Sequence, residues 1–363
     1  MSELVDEPMI PPDKRARNDN IEENQDRLSD LPDCVLLHIL SFLNSKYAVQ
    51  TCVLSTRWKY LWKLIPTLIL YSSQFSMAKH FTYFVSKILT LRDSSTPIHA
   101  LDVERKGVIG IKLLQMILDY IRSHNTHIRR LGINVAADSC PILSCISKCQ
   151  ALTSLKLSVY HRPIGKSNNY TVSLFPKSLN LPLLTNLELT NFTFCGGENG
   201  CAEPFSAFTK LNSLVIYGSK LKDAQILTIS SETLVNFAMH DNSPNIDKID
   251  LSAPSLCTFT FTGEPVQRLC GSSLSSIKQV NIKAPEYSAW MKFALVLLSW
   301  LQDLVNVESL TVTSTTLQVP CHVFKLYFLF LFLFYYYVFV RFQLTSTNLI
   351  LIHPRYLGSL LSS

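Results

Sequence analysis

Leu184-Thr185-Asn186-Leu187-Glu188-Leu189 is the stretch on which the fold turns. Its leucines fall at the first, fourth and sixth positions. The last three residues alternate with period two, the pattern of a short strand with one buried face. The same template precedes it at Ile98/Leu101/Val103, Ile128/Leu131/Ile133 and Leu152/Leu155/Leu157. It follows at Leu211/Leu214/Ile216, Leu234/Phe237/Met239, Leu256/Phe259/Phe261, Ile277/Val280/Ile282 and Val307/Leu310/Val312. Successive first positions lie 30, 24, 32, 27, 23, 22, 21 and 30 residues apart. One further match, Ile246/Ile249/Leu251, is too close to its neighbours for a full repeat and reads as an insert or degenerate turn.

These spacings straddle the 20–29-residue period of leucine-rich repeats. No single repeat buries its own apolar face, so the strands must stack into one parallel sheet with a continuous core. The expected fold class is α/β: an irregular leucine-rich-repeat solenoid with strands on the concave side and helices or loops on the convex side. Ile111 to Arg122, with Leu113, Leu114, Ile117, Leu118 and Ile121 on one face, reads as a convex helix. So does Tyr287 to Asp303, through Met291, Ala294, Leu295, Leu298 and Leu301. Residues between the inward leucines face outward, which nominates Lys156, Asn186, Glu188, Val215 and Lys278 as the surface that meets a target protein.

Upstream, apolar residues at Val35, Leu36, Ile39, Leu40 and Leu43 mark a helix opened by Pro32, with Ser29 or Asp30 as cap. A second helix is expected over Lys46 to Cys52. A third starts near Ser55, carries Trp58, Leu61 and Trp62, and stops before Pro66. A unit of about forty-five residues rarely stabilises itself alone. Another helix is expected from Tyr71 through Phe81, Phe84, Val85, Ile88 and Leu89.

The ordered segments Arg27-Leu-Ser-Asp-Leu-Pro-Asp33, Leu36-Leu-His-Ile-Leu-Ser-Phe-Leu43, Ala48-Val-Gln-Thr-Cys-Val-Leu-Ser55 and Arg57-Trp-Lys-Tyr-Leu-Trp62 resemble the F-box of plant F-box proteins. With the repeats that follow, the chain resembles the plant F-box/LRR-repeat family, whose members often end in a further small C-terminal domain. The resemblance implies docking on the Skp-family linker of a cullin-RING ubiquitin ligase. It places Leu31, Pro32, Leu36, Ile39 and Leu40, then Val53, Leu54, Trp58 and Leu61, at or near the docking surface. The implied role is a target-receptor subunit. A linker-binding scaffold or degenerate family member, and a membrane-tethered receptor, are the alternatives.

Composition narrows the field. Across 363 residues, 33 Lys and Arg stand against 27 Asp and Glu, a net charge of +6 spread along the chain. That gives no basic stripe for nucleic acid. The one tight basic run, Lys14-Arg15-Ala16-Arg17, reads as solvated charge in a polar leader, 1–25, expected to be disordered. The ten cysteines include no C-x-x-C pair and no zinc spacing. Cys140, Cys145 and Cys149 read as free thiols of a reducing compartment. With no apolar signal segment at the start, nucleus or cytoplasm is expected, and the sequons at Asn169 and Asn191 are expected to go unused.

No nucleophile elbow, phosphate-binding loop, H-E-x-x-H helix or dinucleotide fingerprint is present. The glycine cluster Gly196–Gly200 reads as a surface loop, and His124 and His127 as helix-end residues. A non-enzyme without cofactor is therefore expected. The expected domains are the F-box at 26–70, the solenoid at 71–318 and a tail, 319–363, outside the fold. In that tail the fifteen residues Leu326 to Val340 are all Leu, Phe, Tyr or Val, too short a run for a spanning helix of about 20 residues. Translated intron beginning near Val319 is the favoured account, with a membrane anchor or a buried terminal element as the others.

Overall fold

The computed structural model describes residues 30–160, 173–197, 199–284, 291–304 and 306–313, with the backbone alone at 291–294, 298 and 349–352. The leader, the sequon at Asn169 and the run Leu326–Val340 lie outside the described residues.

Three short helices open it: α1 (Asp33–Ser41), α2 (Ser45–Gln50) and α3 (Trp58–Leu61). Pro32 is itself the N-cap of α1, and no side chain caps that helix. Asn44 caps α2 by accepting from the Lys46 N–H at 3.0 Å. Ser55 does not cap α3, which starts from the helical backbone of Arg57. Then come β1 (Thr67–Tyr71), α4 (Ala78–Leu91), β2 (Ala100–Val108), α5 (Ile111–Ser123), β3 (Arg130–Ala136), α6 (Ser139–Ile146) and β4 (Ser154–Tyr160). Beyond β4 strands replace helices: β5 (Ser173–Leu174), β6 (Asn186–Thr190), β7 (Phe192–Cys195), β8 (Cys201–Ala202), β9 (Ser213–Tyr217) and β10 (Lys220–Lys222). They continue as β11 (Ile226–Ser230), β12 (Asn236–His240), β13 (Lys248–Ser252), β14 (Thr258–Thr262), β15 (Arg268–Cys270) and β16 (Gln279–Lys283). α7 (Met291–Asp303), β17 (Ser309–Thr313) and β18 (Leu349–Ile352) complete the described elements.

One eleven-stranded sheet runs β1-β2-β3-β4-β6-β9-β12-β14-β16-β17-β18. All nine templated strands are in it, paired parallel so that the leucine positions lie side by side: Leu155 with Leu187, Leu187 with Leu214, Leu214 with Phe237. Their apolar side chains are buried, Leu310 of β17 only partly, and the residues between the fourth and sixth positions are not, apart from Gly132. A tenth copy, Ile65/Leu68/Leu70, forms β1 and lies inside the stretch assigned to the helical unit. Its residues are buried too, so the repeat array begins before the helical unit was expected to end. The helix expected from Tyr71 starts only at Ala78, because Tyr71 closes β1.

The second layer differs from expectation in its middle. α5 covers the sheet as read, with Leu113, Ile117, Leu118 and Ile121 buried. Between β4 and α7, however, the cover is two small parallel sheets, β10-β7-β5 and β15-β13-β11-β8. Ile246/Ile249/Leu251 is therefore no degenerate turn: it supplies β13, and all three residues are buried. Short repeats leave little chain for a helix, and segments such as Ile226-Leu-Thr-Ile-Ser230 are β-branched and alternating. On α7, Leu297 and Trp300 are buried, and of the expected face Leu295 is exposed and Leu301 half-buried, while the side chains of Met291, Ala294 and Leu298 lie outside the described residues. Trp300 decides this, since its indole N–H donates to the Gln267 carbonyl at 2.9 Å and its ring stands edge-on to Phe261 at 4.7 Å.

A left-handed residue ends four consecutive sheet strands: Asn191, Gly218, Asp241 and Gly263, with φ of 61°, 57°, 47° and 124°. Each N–H donates to the carbonyl ending the next strand, at 2.8, 2.9, 2.8 and 3.0 Å respectively. Only glycine, asparagine and aspartate adopt this backbone cheaply. A Cβ on Gly218 would lie 2.5 Å from the Asn191 Oδ1. These turns send the chain from the sheet to the second layer at the same point in each repeat.

At the sheet's edge, β18 pairs antiparallel with β17, Thr311 opposite Leu351. Four residues of the tail expected outside the fold thus enter it, on the free backbone groups that an edge strand presents.

Helical unit and array share one core. The Ser45 hydroxyl accepts from the Ile69 N–H at 2.9 Å. The Lys46 ammonium donates to the Gln74 carbonyl and the Tyr47 hydroxyl to the Gln74 side chain, both at 2.7 Å. Arg92, buried after α4, donates to the carbonyls of Ile65 at 2.7 Å and Thr96 at 2.8 Å and to the Tyr120 hydroxyl at 3.1 Å.

Two outcomes follow from this packing. Arg92→Met should lower stability by about 3 kcal/mol, because hydrogen bonds to a charged donor vanish and buried carbonyls lose their partner; equilibrium denaturation measures it, with the exposed Lys87→Met as the neutral comparison. Leu187→Ala should cost about 2–5 kcal/mol as a buried truncation, and Glu188→Ala, whose ion pair is half-exposed, less than about 1 kcal/mol. Equal losses at 187 and 188 would show the strand faces reversed.

Candidate functional site

The helical unit leaves many of its large apolar side chains exposed. Leu36, Leu40, Trp58 and Leu61 point into the chain's own core, at 0, 1, 6 and 4% exposure. These four positions of the inferred docking set are therefore structural. The reason lies in the stripe itself: α1 carries two adjacent apolar columns, and the chain's core claims the 36/40 column. The other column, Val35, Ile39 and Leu43, faces out, and Phe42 beside it is 71% exposed. Val53 and Leu54 follow at 83 and 63%, then Tyr60 at 56%. Pro32 is exposed, while Leu31 is half-buried and packs on the core. Of the expected residues, Pro32, Ile39, Val53 and Leu54 thus lie on the surface. Phe42 and Tyr60 join them unforeseen, although a phenylalanine and a tyrosine outside the buried column were the available signal.

Arg57 fixes the start of this face. Its guanidinium pairs with Asp33 at 2.6 Å and donates to the Leu31 carbonyl, holding α3 against the entry to α1. Lys59 and Lys63 lie 5.4 and 5.3 Å from the Tyr60 ring centre.

The second surface is the open face of the large sheet. In register across it lie Asp102, Gly132, Lys156, Glu188, Val215 and Ala238. Lys156 and Glu188 form an ion pair at 2.8 Å, and the Glu188 hydrogen bond holds the Lys156 ammonium above its usual range. The Tyr71 hydroxyl donates to the Asp102 carboxylate at 2.5 Å. Gly132 makes room for that carboxylate, since a Cβ there would meet Asp102 Oδ1 at 2.4 Å. Asn186 is exposed one row earlier and its side-chain oxygen accepts from the Thr185 hydroxyl at 2.7 Å. Val215 is half-buried between Glu188 and Ala238.

Lys278 does not belong to this row. It precedes β16, its N–H donates to the Cys257 carbonyl, and its side chain faces Glu308 at 3.7 Å at the strand entry. It stands next to the repeat's first apolar residue rather than between the fourth and sixth, so Asn281 holds the equivalent position.

Nothing reactive converges on either face. Among the described residues no three of His, Cys, Asp or Glu are placed to hold a metal. The nine described cysteines are unpaired, and burial pushes the Cys149 thiol up to about 12. Among the described residues no helix is long and apolar enough to cross a membrane.

The F-box domain family matches residues 28–69, the stretch that holds the three helices and the start of the first sheet strand. An FBD-associated F-box protein of Arabidopsis thaliana is 27% identical over 218 residues, 58% of this chain and 44% of the relative. An F-box/LRR-repeat protein of the same plant is 28% identical over 250 residues, 66% of this chain and 65% of the relative. An F-box/FBD/LRR-repeat protein is 25% identical over 326 residues, 83% and 68%. The matched regions thus span 44 and 65% of the first two relatives. The chain carries an F-box at its start and is similar to plant F-box/LRR-repeat proteins along the array behind it.

Proposed function

We propose that the chain is the target-receptor subunit of a cullin-RING ubiquitin ligase in the nucleus or cytoplasm. The F-box docks on a Skp-family linker, the linker joins it to a cullin, and the open sheet face holds a target protein. One observation supports this above others: Ile39, Phe42, Val53, Leu54 and Tyr60 form an apolar surface that the chain leaves exposed, on the unit that matches the F-box family. Apolar exposure concentrated on one small unit marks an interaction surface, and a few such side chains dominate the binding energy of an interface.

The chain itself supplies no chemistry in this scheme. Its contribution is proximity: a target on the sheet is held at a high effective concentration near the ubiquitin-bearing enzyme. The fastening of α2 to β1 and of Arg92 to Ile65 suits that role.

Val53→Asp with Leu54→Asp should weaken linker binding more than tenfold, because each places an unpaired charge in an apolar contact, and leave the thermal midpoint of the isolated chain unchanged. Trp58→Ala should instead lower the midpoint, since Trp58 is core. Linker co-purification measures the first, thermal unfolding the second. Undiminished linker recovery with the double variant rules out the docking role. Ubiquitin transfer to a bound protein by the reconstituted ligase then separates a receptor from a mere linker-bound scaffold.

A further inference from the structure

The open face changes character along the array. From β2 to β6 it carries Asp102, Glu104, Lys156 and Glu188, with Arg130 at the entry of β3. From β9 to β17 the outward residues of the first two rows carry no charge, as in Ser213, Val215, Asn236, Ala238, Thr258 and Thr260. At the boundary stand the two outward aromatic rings of the neighbouring strands β9 and β12. Tyr217 and His240 are register partners, stacked at 4.4 Å between ring centres with 15° between their planes. Both are half-buried, so each keeps part of its surface open to solvent.

Glu188 sits one strand away from Tyr217, diagonally, since its own register partner is Val215. Diagonal neighbours on adjacent strands are about 7–8 Å apart, within reach of a long side chain. The groups form one electrostatic neighbourhood: Asp102, Glu188 and Tyr217 all act on Lys156, and Glu188 acts on His240. Lys156 has two carboxylates acting on it, so the local balance favours one more cation. In its pair with Glu188 the lysine side chain is more than half exposed, and exposed pairs of this kind contribute little.

We propose that the Tyr217–His240 stack and Glu188 form a receptor for an arginine side chain on an extended segment of the bound target. A guanidinium is flat, lies over aromatic faces, and forks onto a carboxylate, and no other side chain does all three. Lysine would find the carboxylate but has no plane to stack. An acidic segment would meet Glu188 and Asp102. Burial holds His240 below the usual imidazole range, against the opposing pull of Asp241 and Glu188 and with the help of Lys283; the uncharged ring does not repel a cation. Lys156 occupies Glu188 until the arginine displaces it. This rests on the reading of the open face as the target surface.

The test uses the full chain co-expressed with its linker and a random linear peptide library displayed on phage. Arginine should be enriched at one position among the selected peptides. Their binding should fall at least tenfold on Glu188→Gln and on Tyr217→Ala, and hold or rise on Lys156→Ala, which frees Glu188. Val215→Arg, which obstructs the face beside the stack, should abolish it, with unchanged thermal midpoints showing that each variant is folded. Peptides blocked by Val215→Arg but lacking arginine, or indifferent to Glu188→Gln, overturn the arginine receptor and leave the face as the target surface. A library that yields no peptide blocked by Val215→Arg counts against both.

Discussion

Arg92 is the constraint on which the rest depends. Its guanidinium is buried, and its two terminal nitrogens donate to backbone and hydroxyl oxygens from three places: the end of the helical unit, the loop before β2, and α5. A buried charge of this kind holds only while every partner keeps its place, so it ties those three segments to one geometry. Only Ile65 and Pro66 separate the last turn after α3 from β1. The F-box unit is therefore the capping turn of the solenoid as well as a module in front of it. Terminal repeats of such arrays need a cap to shield the core from water, and the three helices occupy that end.

The two surfaces follow from the same economy. Apolar residues that the cap does not need for the sheet or for itself remain outside, which is why Val35, Ile39 and Leu43, the second column of α1, are exposed while Leu36 and Leu40 are buried. Along the array the inward positions are committed to the core, and the alternate positions are left to face outward. Those positions are nearly free of structural duty from β9 onward. Around Lys156 and Glu188 they are chemically marked.

The sheet was legible because burial imposes a strict period of two and the repeat imposes a phase, so each templated triplet carried its own confirmation. β1 was missed because Ile65/Leu68/Leu70 lay inside a stretch already claimed by a stronger helical pattern. The outer strands had little chance: β5, β8, β10 and β15 are two or three residues long, too short to show a period. The docking set was half legible, since a stripe of apolar residues shows that a helix has a buried side without showing which flank. Lys278 was a phase error of a different sort, one place along the template from a position that points outward. The left-handed ladder had a signal that went unused: Asn191, Gly218, Asp241 and Gly263 each stand two places after the template's last apolar residue.

That ladder fixes where each strand stops, and so fixes the pitch at which repeats are added. Parallel strands in register advance by about 4.8 Å, and the turn residues repeat at the same height from β6 to β14. A chain that gained or lost one such unit would carry its Lys156–Glu188 patch nearer to or farther from the cap by one whole strand, never by a fraction. Reach in this architecture is therefore inherited in discrete steps, set by a few glycines, asparagines and aspartates rather than by the leucines that give the repeat its name.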